Sequence, residues 1–149
     1  RPQLVRFVVV VPPLLLLGKK LLEYDIQPIF LLGARSKQDL LELDLFKEVG
    51  TVFCTTEDGS YGEKGYVTQH SMLSQPNFSR IYTCGPKPMM MAVASYAKQQ
   101  NIDCEVSLEN LMACGIGACL CCVEKTTEGH KCACTDGPVF NVNELQWQI

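Results

Sequence analysis

The chain has 149 residues, 47% hydrophobic and 19% charged, with a formal net charge of −3. That balance describes one large or two small globular domains, and it leaves no basic face for nucleic acid and no polybasic anchor for anionic lipid. The apolar run from Phe7 to Leu17 is broken by Pro12 and Pro13 and is shorter than the ~20 residues of a membrane-spanning helix, so a protein or small-molecule partner is expected.

The first element is the valine-rich run Leu4 to Val11, which reads as an inner strand of a parallel sheet covered on both faces. Pro12 and Pro13 suit a helix start, with the helix running from Leu14 to Tyr24. Pro28 to Leu32 is the next strand, closed by Gly33. Ser36 is expected to cap a helix through Lys47, because its hydroxyl can accept from an unpaired N–H and Asp39 lies in the first turn, where the dipole favours it. Thr51 to Thr55 and Arg80 to Thr83 read as strands. Pro86 to Gln100 is a helix with Met89, Val93 and Tyr96 on one face, and Asp103 to Ser107 is a last strand. Repetition of strand and helix predicts an α/β fold, an open, mostly parallel sheet whose ligands gather at the carboxyl ends of the strands.

After Leu108 glycine, cysteine and short β segments replace the helices, so the expected division is an α/β domain over 1–108 and a small cysteine-rich β module over 109–149. Within the module Cys114, Cys119 and Cys122, followed by Cys134, fit the C-x4-C-x2-C…C arrangement that holds a [2Fe–2S] cluster. Gly115 and Gly117 can bring backbone N–H groups close to the cluster sulfurs. A hairpin of Val123–Thr126 with Lys131–Cys134, turning at Glu128-Gly129, would carry Cys134 back beside the other three thiols.

Two other uses of the cysteines compete with this reading and fit less well, the x4-then-x2 spacing favouring iron and sulfide over zinc. A structural zinc site usually opens with two to four residues between its first pair of ligands and is often built from two such knuckles. A disulfide framework fits poorly with nine cysteines, an odd count, five of them between Cys114 and Cys132 with no apolar leader ahead; a reducing compartment, the cytoplasm, is expected. Cys121 and Cys132 stand close enough in sequence to replace Cys122 or Cys134 as ligands. Cys122 preserves the x2 gap, and adjacent side chains on an extended segment face opposite ways. Cys54 and Cys104 read as small core hydrophobes.

Three turns fall at predicted strand ends: Gly33-Ala34-Arg35-Ser36, Glu57-Asp58-Gly59-Ser60-Tyr61-Gly62 and Cys84-Gly85-Pro86. In an open α/β sheet they line one crevice, where N–H groups at helix starts can bind a pyrophosphate; each taken singly is also ordinary turn punctuation.

The stretches Ala34-Arg35-Ser36-Lys37, Thr56 to Gly62, Cys84-Gly85-Pro86-Lys87-Pro88-Met89, Met112 to Cys119 and the tail Asp136-Gly137-Pro138-Val139-Phe140 together resemble the electron-transfer subunits of NAD-dependent dihydroorotate dehydrogenases, in the ferredoxin reductase superfamily. The resemblance spans nearly the whole chain. It implies a nicotinamide-binding domain followed by a [2Fe–2S] domain, with FAD held by an N-terminal β-barrel that this chain does not include; the chain corresponds to the C-terminal part. It further implies that Arg35, Asp58, Gly59, Gly85 and Pro86 belong to the NAD site, and that Cys84 stands near the nicotinamide. Electrons from dihydroorotate would come from a flavin-containing catalytic partner, in a heterotetramer serving pyrimidine biosynthesis, and pass through the [2Fe–2S] cluster to FAD and then NAD⁺. No catalytic acid or base for orotate chemistry is visible. Where the family has a glycine-rich turn this chain has Arg6-Phe7-Val8-Val9-Val10, whose valines would obstruct a pyrophosphate, so no nucleotide contact is assigned to residues 6–11. The alternatives are a reductase subunit of a sulfhydrogenase or a bifurcating transhydrogenase, or a non-redox zinc-binding interaction module.

Overall fold

The computed structural model describes residues 5–9, 13–74 and 78–148, the first of these as main chain. Strands β1 (Val5–Val9), β2 (Pro28–Ala34), β3 (Thr51–Thr56), β4 (Glu63–Lys64), β5 (Arg80–Cys84), β6 (Asp103–Ser107) and β9 (Val139–Asn141) form one sheet in the order β4-β3-β2-β1-β5-β6-β9. The first six pair in parallel, and β9 joins the edge antiparallel to β6, with Val106 opposite Phe140. Strands β7 (Val123–Thr126) and β8 (Gly129–Cys132) make a separate hairpin. The expected strand ends at Leu4, Val10 and Val11, and the expected helix-starting Pro12, lie outside the described residues.

Alternation along β2 sorts the core into two layers, as period-2 geometry requires. Phe30 and Leu32 face α1 (Pro13–Leu22) and α2 (Leu43–Val49), packing with Leu14, Leu15, Phe46 and Val49. Leu31 faces the other way, toward Met90, Val93, Ala94 and Ala97 of α3 (Lys87–Gln99). The same second layer contains Cys122, Cys132, Ala133, Phe140, Val142 and Leu145. The cysteine-rich segment thus shares a core with α3 and β6.

Two expected elements are corrected. The helix from Ser36 to Lys47 is instead a short 3-10 turn at Lys37–Asp39 and then α2, interrupted at Glu42, which takes a left-handed conformation (φ 56°). Ser36 is the N-cap of that turn and forms a capping box with Asp39, donating from both Oγ (2.8 Å) and its main-chain N (3.1 Å) to the Asp39 carboxylate. The hairpin register also differs: Thr126 pairs Gly129 across a two-residue turn and β8 ends at Cys132, leaving Cys134 in the turn beyond the strand.

Candidate iron–sulfur and nucleotide sites

The loop from Cys114 to Cys122 winds back on itself because Gly115, Gly117 and Leu120 take left-handed main-chain angles (φ 70°, 77° and 58°). A side chain at Gly117 would be strained by its φ, and its Cβ would press on Thr135 at 3.2 Å. This winding turns N–H groups inward. Ile116 and Cys119 each donate from the main chain to Cys114 Sγ at 3.4 Å, and the Gly117 N–H donates to the Cys134 sulfur.

The four sequence-predicted ligands gather here as two pairs. Cys119 is bonded by the Cys121 N–H and then by the thiol and main chain of Cys114, which together bring its pKa down to about 6. Cys122 is held below the ordinary thiol value by the N–H of Cys134 and then by the Cys134 thiol. Cys134 is correspondingly raised, first by its bond to Cys122 and then by burial, and it also feels Cys114. Among the described residues no three His, Cys, Asp or Glu side chains are disposed to hold a single metal ion. An all-sulfur donor set in two pairs, with N–H groups directed at the sulfurs, fits a two-iron cluster taking two thiolates per iron.

Cys121 and Cys132 flank this set. Cys121 is exposed beside Cys119, and Cys122 is buried, although the segment is a turn and not the extended strand expected. Cys132 is buried with its thiol against Cys122. Cys54 and Cys104 are buried core residues, and burial pushes both thiols up. Around the loop, Leu111, Met112, Ile116 and Leu120 stand exposed, at 83%, 51%, 75% and 62%.

At the carboxyl ends of the strands a cavity of about 510 Å³ is lined by Gly33, Ala34, Arg35, Glu57, Pro86 and Met89, with Tyr66, Val67 and Gln69 closing one side. Arg35 and Pro86 therefore meet in one space. Asp58 and Gly59 stand outside that lining, in a turn ordered by Asp58 Oδ1, which accepts from Ser60 N (2.9 Å) and Oγ (2.6 Å); Ser60 Oγ in turn accepts from Lys37 N (2.8 Å). Cys84 and Gly85 are buried at the end of β5, where the Cys84 thiol donates to Glu109 Oε1 at 3.5 Å. Burial, followed by the neighbouring Glu109 charge, pushes that thiol up to about 11. Sequence reasoning missed Tyr66, Gln69 and Glu109, which carry no motif signal.

The last unanticipated feature is a polar bridge. Glu124 accepts from Lys87 Nζ (3.0 Å), Trp147 Nε1 (3.1 Å) and Asn110 Nδ2 (3.1 Å). Burial by itself would raise this carboxyl, but the Asn110, Lys87 and Trp147 donors outweigh it and hold the group below its ordinary value.

A mixed α/β sheet carrying an all-cysteine loop on its second layer defines a redox-protein architecture, and comparison with known proteins specifies it. Residues 109–146 match the family described as the iron-sulfur cluster binding domain of dihydroorotate dehydrogenase B. The chain is 39% identical over 139 residues to the dihydroorotate dehydrogenase B (NAD(+)) electron transfer subunit of Shouchella clausii, covering 91% of this chain and 53% of that one. It is 45% identical over 120 residues to the probable counterpart of Methanocaldococcus jannaschii (78% and 46%), and 41% identical over 141 residues to that of Listeria monocytogenes (91% and 54%). A solved NADH-dependent reduced ferredoxin-NADP oxidoreductase, studied for flavin-based electron bifurcation, superposes with a TM-score of 0.85 at 32% identity, over 97% of this chain and 54% of that one. The chain is thus similar over most of its length to dihydroorotate dehydrogenase B electron transfer subunits, and spans about half the length of the curated relatives it matches.

Proposed function

We propose that this chain is the cluster-bearing and nucleotide-binding part of an oxidoreductase subunit that relays electrons from a flavin-containing dihydroorotate dehydrogenase partner to NAD⁺, with FAD held outside residues 1–149. The observation that carries the reading is the gathering of Cys114 with Cys119 and of Cys122 with Cys134 under inward-facing N–H groups. When bound there, a [2Fe–2S] cluster carries one electron at a time between flavins that work in pairs. The chain's own work is to hold the thiolates, to offset their charge with the N–H groups of Ile116, Gly117 and Cys119, and to keep Cys122 away from water.

The division of labour follows 1–108 for the nucleotide, in a ferredoxin-reductase-like domain with an open, mostly parallel sheet, and 109–149 for the cluster. Arg35 offers its guanidinium to a phosphate in the cavity, and the Gly85-Pro86 turn opens α3 beside it. Asp58 and Gly59 shape the adjoining turn, and Cys84 lies beneath the crevice. The exposed collar of Leu111, Met112, Ile116 and Leu120 suits docking of a partner subunit in a heterotetramer. No helix among the described residues is long and apolar enough to cross a membrane, and the proposed setting is cytoplasmic pyrimidine biosynthesis.

The test is chemical. Anaerobically purified protein should contain equal iron and acid-labile sulfide, and Cys→Ser at 114, 119, 122 or 134 should lower both, whereas Cys121→Ser and Cys132→Ser should retain them. With its partner the protein should reduce NAD⁺ in the presence of dihydroorotate. The likeness to the bifurcating reductase supports a second reading, a subunit of another redox complex; ferredoxin-linked activity with none on dihydroorotate would select it. Stoichiometric zinc without iron would replace both readings by a structural metal module.

A further inference from the structure

The bridge at Glu124 joins the two halves of the relay. Its carboxylate, on a side chain only 11% exposed, takes Lys87 and Trp147 on Oε1 and Asn110 on Oε2. The Asn110 Nδ2 also donates to the main-chain carbonyl of Cys122 at 3.2 Å; an amide nitrogen carries two hydrogens, so each contact has its own. Lys87 is the first residue of α3, directly after the Gly85-Pro86 turn, and its ammonium lies 5.7 Å from the Trp147 ring centre. One bonded path therefore runs from the nucleotide turn through Lys87, Glu124 and Asn110 to the cluster loop. Glu109, adjacent to Asn110, takes the Cys84 thiol from the end of β5, so this segment is tied to the sheet as well.

We propose that Glu124 is a positioning residue for electron transfer: with Lys87 and Asn110 it locks the Cys122 side of the cluster loop to the helix start of the nucleotide turn, and its charge pair with Lys87 keeps the field at the cluster balanced. The inference rests on the [2Fe–2S] reading. Reduction adds a negative charge to the cluster, so a nearby carboxylate opposes it and a nearby ammonium favours it, and in a poorly solvated site such fields reach further than in water. In the native pair the two largely cancel. Removing one leaves the other uncompensated, and the two removals push in opposite directions.

The experiment measures the midpoint potential of the cluster, and the electron paramagnetic resonance of its reduced form, in the full-length protein carrying Glu124→Gln, Lys87→Met or both, at low ionic strength where surface charge is least screened. Glu124→Gln should move the potential positive and Lys87→Met negative; the double variant should return toward the native value, with the resonance altered in Glu124→Gln. A residue that merely props up the fold would move both single variants the same way or leave both unmoved, and either result overturns the proposal. Should Glu124→Gln fail to retain iron, Lys87→Met decides, since Lys87 is half exposed and its loss spares the core: no negative shift refutes the charge pair. Iron-free native protein would instead overturn the cluster reading, which keeps the two failures distinct.

Discussion

Truncating Phe140 to alanine tests whether the tail and the sheet share one core. The ring is 3% exposed, faces Val106 across the β6–β9 pair, and lies over Gly137, where even a Cβ would come within 2.5 Å of its Cε2. Phe→Ala substitutions in packed cores cost about 3–5 kcal/mol, partly from lost transfer energy and partly from the cavity left behind. The upper end is expected here, because Gly137 has no side chain to fill the space and the paired β9 backbone cannot move in without breaking its bonds to β6. With a urea slope of about 2 kcal/mol per molar, the unfolding midpoint should fall by roughly 2 M. The titration is followed at once by far-ultraviolet circular dichroism, which reports the sheet and helices, and by the visible absorbance of the bound cluster. Both transitions should move together. A fall under about 0.5 M, or a visible transition that shifts while the far-ultraviolet one stays, would refute the shared core.

Three further outcomes follow from the geometry. Gly62→Ala places a methyl group 2.1 Å from the Cys54 carbonyl oxygen at a φ of 68°; the left-handed cost alone is about 1–2 kcal/mol, so the melting temperature should drop by about 5 °C or more, and an unchanged melt would show that the turn is not packed on β3 as described. Burial holds the His70 imidazole below its ordinary 6.5, against the opposing pull of Glu63, so the unfolded chain binds the extra proton first; stability is complete above pH 6.5 and is lost as pH falls from there toward the folded value. His70→Gln should flatten that slope in denaturant titrations between about pH 7 and 5. Arg35→Ala should weaken NADH binding by about 10- to 100-fold in calorimetry, the range for a charged hydrogen bond to phosphate, and unaltered affinity would remove Arg35 from the nucleotide site.

Pro28–Leu32 was legible because burial on both faces leaves a continuous apolar run, and it was read two residues short. Thr51–Thr55 was read one residue short, and Asp103–Ser107, whose burial alternates along the strand, was read whole. The cysteine spacing was legible because it is a local pattern, and the structure brings those thiols together in two pairs. What stayed hidden depends on distant partners. Glu63–Lys64 is too short and polar to read as a strand, yet it pairs with Thr55 and Thr56. The break at Glu42 lies inside a helix-favouring stretch, where one left-handed residue leaves no compositional trace. Val139–Asn141 read as a motif tail, and only the fold shows it as an edge strand. The Glu124 bridge spans separations of 37, 14 and 23 residues, beyond the reach of any periodicity.

The antiparallel edge strand also orders events in time. Residues 139–141 leave the ribosome well after 103–107, so the β6 edge stays open through synthesis of the whole cysteine loop. Chains fold largely from their amino-terminal side as they emerge, and an open edge is prone to wrong pairing until it is covered. Closure by β9 follows emergence of the last proposed ligand, Cys134, by only a few residues. Covering of the β6 edge and the gathering of all four proposed thiols therefore both wait until residues 134–141 have emerged.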